Sequence, residues 1–181
     1  MRIIAGELKG RRLKTPTWDG LRPTSDKLRE TLFNVVAPRV GDARVLDLYA
    51  GTGAIGIEAL SRGAAHVTFV DSDLRAIKLI DDNLRHCGVR DRYVIIRTLQ
   101  SLQAGSIDLA VLDPPYDEPD LTAAIAAAEL LIAPGGLLVL EHARRRPAPE
   151  QTGRLRLSRD LVSGDSALAF YSEVAERPTK T

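Results

Sequence analysis

The stretch Val45-Leu46-Asp47-Leu48-Tyr49-Ala50-Gly51-Thr52-Gly53-Ala54-Ile55-Gly56 decides how the rest of the chain is read. It opens as a short, almost continuous apolar run, passes a tight cluster of glycines and enters a segment with helical spacing, Ala54 to Arg62. Continuous rather than alternating runs suit strands buried on both faces of a parallel sheet. Four more follow at Val67 to Val70, Val94 to Ile96, Leu109 to Leu112 and Leu137 to Leu140, separated by helical patterns at Leu74 to His86 and Leu121 to Ile132. Gly63, Gly88 and Pro134-Gly135-Gly136 supply the helix stops. Strand and helix alternate, so the expectation is an α/β layered sheet.

Past Leu140 a Pro- and Arg-rich stretch leads to two strand-like runs, Leu155 to Val162 and Ala167 to Val174, joined through Ser163-Gly164-Asp165. These predict an antiparallel hairpin closing the sheet. Before Val45 lie two strand-like pieces around Lys9-Gly10, a loop ending in Arg22-Pro23-Thr24, and a predicted helix from Ser25 to Val36 stopped by Pro38 and Gly41. Residues 1–39 are therefore expected to form an extension, residues 40–175 the main domain, and residues 176–181 a frayed tail. A length of 181 residues fits one domain. The single cysteine, Cys87, and the scattered His66, His86 and His142 give no disulfide and no metal-ligand spacing. No run approaches the length of a membrane span and the first residues do not resemble a secretion signal, so the expected location is the cytoplasm.

The glycine cluster contains G-x-G-x-x-G, and Asp71 follows Gly51 by twenty residues at the end of the next strand. That spacing allows a dinucleotide enzyme, with Asp71 on a ribose. Asp47 favours a different ligand. A carboxylate just inside an apolar strand repels a pyrophosphate and suits a cationic, amine-bearing molecule. A tight turn with close helix packing and no ligand is the plainest alternative.

The fourth strand runs into Asp113-Pro114-Pro115-Tyr116. In open α/β sheets ligands sit beyond the carboxyl ends of the strands, which sets this tetrapeptide at the same crevice as the glycines. Two prolines stiffen the turn and leave its carbonyls free to accept. The exocyclic amine of a nucleobase is a poor nucleophile, because its lone pair is delocalised into the ring. Asp113 and the Pro114 carbonyl could accept its N–H bonds and orient it, while Tyr116 stacks on the base.

Net charge is only +1, which taken alone speaks against a nucleic-acid partner. Its distribution does not, because residues 1–39 hold nine Lys/Arg against four Asp/Glu, leaving a net −4 on the remainder. Lys9, Arg11, Arg12 and Lys14 cluster on the hairpin-like piece, followed by Arg22, Lys27 and Arg29, a footprint for phosphates. A solvated charged hairpin is the alternative. Arg144-Arg145-Arg146 could extend that surface or form a solvated loop.

Asp47-Leu48-Tyr49-Ala50-Gly51-Thr52-Gly53 resembles motif I of S-adenosylmethionine-dependent methyltransferases, and Asp113-Pro114-Pro115-Tyr116 resembles motif IV of amino-methyltransferases. With Arg2-Ile3-Ile4-Ala5-Gly6, Gly10-Arg11-Arg12-Leu13, Leu21-Arg22-Pro23-Thr24, Arg29-Glu30-Thr31-Leu32-Phe33-Asn34 and Glu58-Ala59-Leu60-Ser61-Arg62-Gly63-Ala64, the chain from residue 2 to about 140 resembles the RsmD family. Beyond that the likeness narrows to the closing hairpin around Ala169-Phe170-Tyr171.

The resemblance implies a Rossmann-like methyltransferase with a mostly parallel seven-stranded sheet, a C-terminal antiparallel hairpin and a small N-terminal hairpin-and-helix extension. It implies methyl transfer from S-adenosylmethionine to the N2 amine of a guanine in small-subunit ribosomal RNA, leaving S-adenosylhomocysteine. The partner would be that RNA, free or in an assembling subunit, and the enzyme a monomer without metal. Asp113, Pro114, Pro115 and Tyr116 would be catalytic. Asp47, Tyr49, Ala50, Gly51, Thr52, Gly53, Asp71, Ser72, Thr98 and Leu99 would hold the cofactor. One departure stands out: where such enzymes often carry Asp or Asn after the third strand to meet the adenine, this chain reads Arg97-Thr98-Leu99-Gln100. Thr98, backbone groups or Gln100 are the alternatives there.

Overall fold

The computed structural model describes residues 1–18, 24–116 and 118–173. Arg22 and the tail 176–181, both given roles above, lie outside these residues. Eight strands form a single sheet: β1 (Arg44–Leu48), β2 (His66–Val70), β3 (Tyr93–Ile96), β4 (Ile107–Leu112), β5 (Ile132–Ala143), β6 (Gln151–Thr152), β7 (Leu155–Ser163) and β8 (Ser166–Glu173). Their order is β3-β2-β1-β4-β5-β8-β7-β6. The first five are parallel, and β8, β7 and β6 add on as antiparallel neighbours. Seven strands match the expected count. The eighth, β6, is a two-residue piece paired with β7 and carries too little pattern to be read in sequence.

Four helices connect the strands: α1 (Asp26–Val36), α2 (Ala54–Ser61), α3 (Leu74–His86) and α4 (Leu121–Glu129). α1 begins where Ser25 accepts a hydrogen bond from the Leu28 N–H, and α3 where Asp73 caps Arg75, so short polar side chains satisfy otherwise orphaned amides. α4 is shorter than its periodicity predicts. Ile132 already pairs with Ile107, and the ladder resumes at Leu109↔Leu137, so Ala133 to Gly136 loop out and β5 starts upstream of the Pro-Gly-Gly stop.

Apolar residues fill both faces of the sheet. One layer joins Ile57, Leu60, Phe69, Ile80 and Leu84 of α2, β2 and α3; the other joins Leu46, Leu112, Ile125 and Leu140 beneath α4. The amino-terminal segment shares the first layer through Ile3, Leu8, Leu13, Leu28, Leu32 and Phe33. The hairpin expected there is short: an antiparallel bridge joins Arg2 and Arg12, the Ile3 N–H donates to the Arg11 carbonyl and the Gly10 N–H to the Ile3 carbonyl, both at 2.9 Å. Its backbone is held by α2 as well: Glu58 accepts from the Ile4 and Ala5 amides at 2.7 and 3.0 Å, and Ser61 Oγ accepts from Leu8 at 2.9 Å.

Gly56 lets α2 lie directly on β2. A Cβ there would come within 2.2 Å of Phe69 Cε1 and 2.8 Å of Val67 Cγ1. Both neighbours are fully buried and cannot swing away. Gly56→Ala is expected to lower unfolding stability by about 1–3 kcal/mol despite the better helix propensity of alanine, read as a shifted urea midpoint. A midpoint equal to or above wild type would contradict this packing.

Candidate functional site

The parallel strands deliver one chemical group each to the same edge of the sheet. Asp47 stands near the end of β1, Asp71 just after β2, Thr98 after β3, Asp113 directly after β4 and Glu141 near the end of β5. The chain runs from β1 outward to β2 and β3 on one side and returns to β4 and β5 on the other, so the glycine loop after β1 lies at the topological switch point.

That loop is tied down by carboxylates. The Gly56 N–H, in the first turn of α2, donates to Asp47 Oδ2 at 2.9 Å. Asp71 accepts from the Gly51 N–H through Oδ2 and from the Asp73 N–H through Oδ1, each at 2.9 Å, which joins the ends of β1 and β2. Tyr49 and Gly53 both adopt positive φ, 63° and 76°. For glycine this conformation is unstrained; for tyrosine it stores backbone strain at the mouth of the crevice. The Tyr49 hydroxyl meets Glu118, and burial with that neighbouring charge pushes its pKa up.

Asp47 is almost wholly buried, and burial raises its pKa from the ordinary carboxyl range to about 8, with the charges of Asp113 and Asp71 adding to the rise and the Gly56 hydrogen bond opposing it. Three acids that feel each other across one sheet edge form an environment suited to a positively charged, hydroxyl-bearing ligand. The residue types therefore fit a sulfonium-and-amine cofactor with a ribose. Thr52 does not offer its side chain to such a ligand: its hydroxyl turns inward against Met1 Sδ at 3.7 Å, and its carbonyl accepts from Asn83 Nδ2 at 2.9 Å. Ser72 and Thr98 are exposed at the rim, and Leu99 opens a short helical turn, half-buried against the apolar layer that includes Leu46 and Val70.

Asp113 is half-buried, and the Thr24 hydroxyl donates to its Oδ2. Tyr116 is also half-buried, its hydroxyl hydrogen-bonded to Ser166 Oγ and 3.4 Å from Glu141 Oε1. Pro114 is buried and Pro115 exposed. Arg146 straps the loop that follows, donating to the carbonyls of Glu118 and Pro119. Sequence reading did not single out Glu141 or Ser166. The available signal was a carboxylate one residue past the apolar run Leu137 to Leu140, on the strand expected beside the Asp-Pro-Pro-Tyr strand.

Lys9, Arg11, Arg12, Lys14 and Lys27 are exposed. Arg11 is partly engaged, donating to the Cys87 carbonyl at 2.5 Å. Arg29 corrects the sequence expectation, because it is fully buried. It lies on the inner face of α1 in phase with Leu32, Phe33 and Val36, donates to the Arg2 carbonyl at 2.8 Å and pairs with Asp26 at 2.6 Å, 3.9 Å from Glu58. Its charge suggested an RNA contact, but its helical phase assigns it to the interior. Arg2, Arg12 and Thr15 line a surface cleft of about 380 Å³ with Met1, Leu13 and Asp26. Among the described residues no cluster of His, Cys, Asp or Glu could hold a metal, and no helix is long and apolar enough to cross a membrane.

A family model described as Conserved hypothetical protein 95 matches residues 1–172. The chain belongs to the RsmD family. It is 35% identical to the ribosomal RNA small subunit methyltransferase D of Escherichia coli K12, over 97% of this chain and 91% of that one. A Bacillus subtilis protein with the provisional name rRNA methyltransferase YlbH is 37% identical over 96% of this chain and 99% of its own. In three dimensions an Escherichia coli chain named as a methyltransferase, yhhF, superposes with a TM-score of 0.84 at 33% identity, covering 97% of this chain and 99% of that one. The Rossmann-like fold expected from sequence is the observed one.

The raised Asp47 pKa makes a stability prediction. An unfolded aspartate titrates near about 3.9, so folding takes up a proton between roughly that pH and about 8. The stabilising contribution of the protonated group is complete below the unfolded pKa and fades as pH rises through the folded one. Asp47→Asn, which keeps an acceptor for the Gly56 amide, should be more stable than wild type at about pH 8.5, on the order of 1 kcal/mol, and show a shallower loss of thermal stability with rising pH. Identical pH slopes in the two proteins would contradict a neutral Asp47.

Proposed function

We propose that this protein transfers a methyl group from S-adenosylmethionine to the exocyclic N2 amine of a guanine in small-subunit ribosomal RNA. The observation that carries the reading is the convergence of Asp47, Asp71 and the Asp113-Pro114-Pro115-Tyr116 turn on one sheet edge, in a family whose named relatives are ribosomal RNA methyltransferases. When bound, the cofactor supplies an electrophilic methyl on a sulfonium centre. The chain does the rest by binding and orientation.

Asp47, neutral when buried alone, gains a reason to ionise beside the cofactor's cationic amine. Asp71 already accepts two backbone amides, and each carboxylate oxygen has a further lone pair for a ribose hydroxyl. Tyr49, Ala50, Gly51 and Gly53 shape the loop around the methionine end, Thr52 contributes backbone only, and Ser72, Thr98 and Leu99 border the nucleoside end. Asp113 and the Pro114 carbonyl accept from the guanine amine, holding it in line with the methyl group and countering the positive charge that develops on nitrogen. Tyr116, fixed by its hydroxyl, offers a ring for the base to stack on, and a base in a helix must leave its stack to reach it.

Lys9, Arg11, Arg12, Lys14 and Lys27 form the basic rim for RNA phosphates. Arg2 joins them from the neighbouring cleft. The segment that carries this rim reaches the site through Met1, which touches Thr52, and the Thr24 hydroxyl, which donates to Asp113.

The decisive experiment is methylation mapping of small-subunit ribosomal RNA, free and in assembling particles, incubated with the protein and S-adenosylmethionine; a new N2-methylguanine is expected, and its absence on every such substrate would overturn the reading. Asp113→Ala should cut kcat by about a hundredfold or more while leaving cofactor affinity unchanged in calorimetry. Asp71→Ala should do the reverse, weakening the cofactor. Neutralising Lys9, Arg12 and Lys14 together should flatten the slope of log affinity against log salt by about two, with cofactor binding unaltered. Arg11 is left intact in this test because its guanidinium also holds the Cys87 carbonyl.

A further inference from the structure

Parallel pairing of β4 with β5 aligns Leu112 with Leu140, so the next residues, Asp113 and Glu141, emerge side by side at the sheet edge. Glu141 is 5% exposed. Its Oε1 faces the Tyr116 hydroxyl at 3.4 Å, while Oε2 is buried with no donor to pair with. No ion pair reaches Glu141 among the described residues. Two ionised carboxylates in this position would repel each other inside a low-dielectric pocket; with a single proton on Glu141 the same contact becomes a hydrogen bond.

Resting on the function proposed above, we infer that Glu141 is a positioning residue, held protonated so that it donates to Asp113 and fixes which Asp113 oxygen is presented to the guanine amine. The Thr24 hydroxyl donates to Asp113 Oδ2 as well. Asp113 is thus gripped by two neutral donors and stays an ionised acceptor. A neutral Glu141 also keeps the negative charge beside the target to one group, which a second carboxylate would spread and misalign.

The groups facing Glu141 agree with this. Asp113 comes from the β4 end with Asp47 behind it, Tyr116 from the following turn and Ser166 from β8. Its strand neighbour His142 turns its ring to Asp160 at 3.3 Å and to the Arg146 carbonyl at 2.9 Å, and the Arg146 guanidinium is spent on backbone carbonyls. Burial first, then the Asp113 charge and the contact with it, push the Glu141 pKa up, against the smaller pull of Ser166 and Tyr116.

The test has one arm with activity and one without. Single-turnover methylation of a small-subunit ribosomal RNA fragment is followed from about pH 6 to about pH 10 for wild type, Glu141→Gln and Glu141→Ala. Wild type should lose rate on the alkaline side as Glu141 ionises. Glu141→Gln, whose amide donates at every pH, should keep the neutral-pH rate and lose most of that alkaline fall; titration of the RNA itself is common to both enzymes. Glu141→Ala should drop kcat by about tenfold or more with KM for RNA little changed. An alkaline fall in Glu141→Gln identical to wild type, or a wild-type kcat in Glu141→Ala, would overturn the inference.

In the second arm, infrared spectra of the free protein carrying carboxyl-13C glutamate should show a protonated-acid band at neutral pH that shifts with the label and vanishes in Glu141→Gln. Absence of that band from wild type overturns the inference whatever the substrate proves to be. If the protein methylates no guanine but the band is present, the proposed function fails while the shared proton stands.

Discussion

The contact between the Asp47 carboxyl and the Gly56 amide holds this structure's working edge together. It spans the glycine loop, so the strand before the loop and the helix after it are fixed to each other by a buried bond, and the positive φ values at Tyr49 and Gly53 follow from a chain that must double back between those anchors. Asp71 repeats the device one strand over by catching the Gly51 amide. Both acids are therefore committed to backbone before any ligand arrives. Preorganisation of this kind means that little ordering of the loop remains to oppose binding.

The amino-terminal segment meets the same edge by a different route. Glu58 on α2 collects the amides of Ile4 and Ala5, Asn83 on α3 links the Lys14 backbone to the Thr52 carbonyl, and buried Arg29 reaches the Arg2 carbonyl. A short hairpin with few hydrogen bonds of its own is thereby tied to the main domain by side chains of α1, α2 and α3. Residues 1–39 carry nine Lys/Arg against four Asp/Glu, while the working edge of the sheet carries Asp47, Asp71, Asp113 and Glu141. The near-neutral total charge of the chain hides this opposition.

Most of the architecture was legible because continuous apolar runs and helical spacing report burial on each element separately. The helix from Leu74 to His86 and the closing hairpin lie where periodicity and turn residues put them. The failures were of another kind. Leu121 to Ile132 reads as one helical pattern, yet Ile132 belongs to a strand, because pairing with Ile107 outweighs local spacing. Arg29 reads as surface charge, yet its phase with Leu32 and Phe33 carries it inside, where the Arg2 carbonyl and Asp26 meet it.

Local chemistry by itself determined the glycine turn, the carboxylates at strand ends and the stiff Asp-Pro-Pro-Tyr turn, since each depends on residues close together in the chain. Tertiary structure alone decided which of these groups are neighbours. Asp113 and Glu141 are 28 residues apart, and only the β4–β5 register sets them side by side. Whether a carboxyl is charged depends on what surrounds it in three dimensions, so the burial that raises Asp47 to about 8 could not be read from Leu46 and Leu48 beside it.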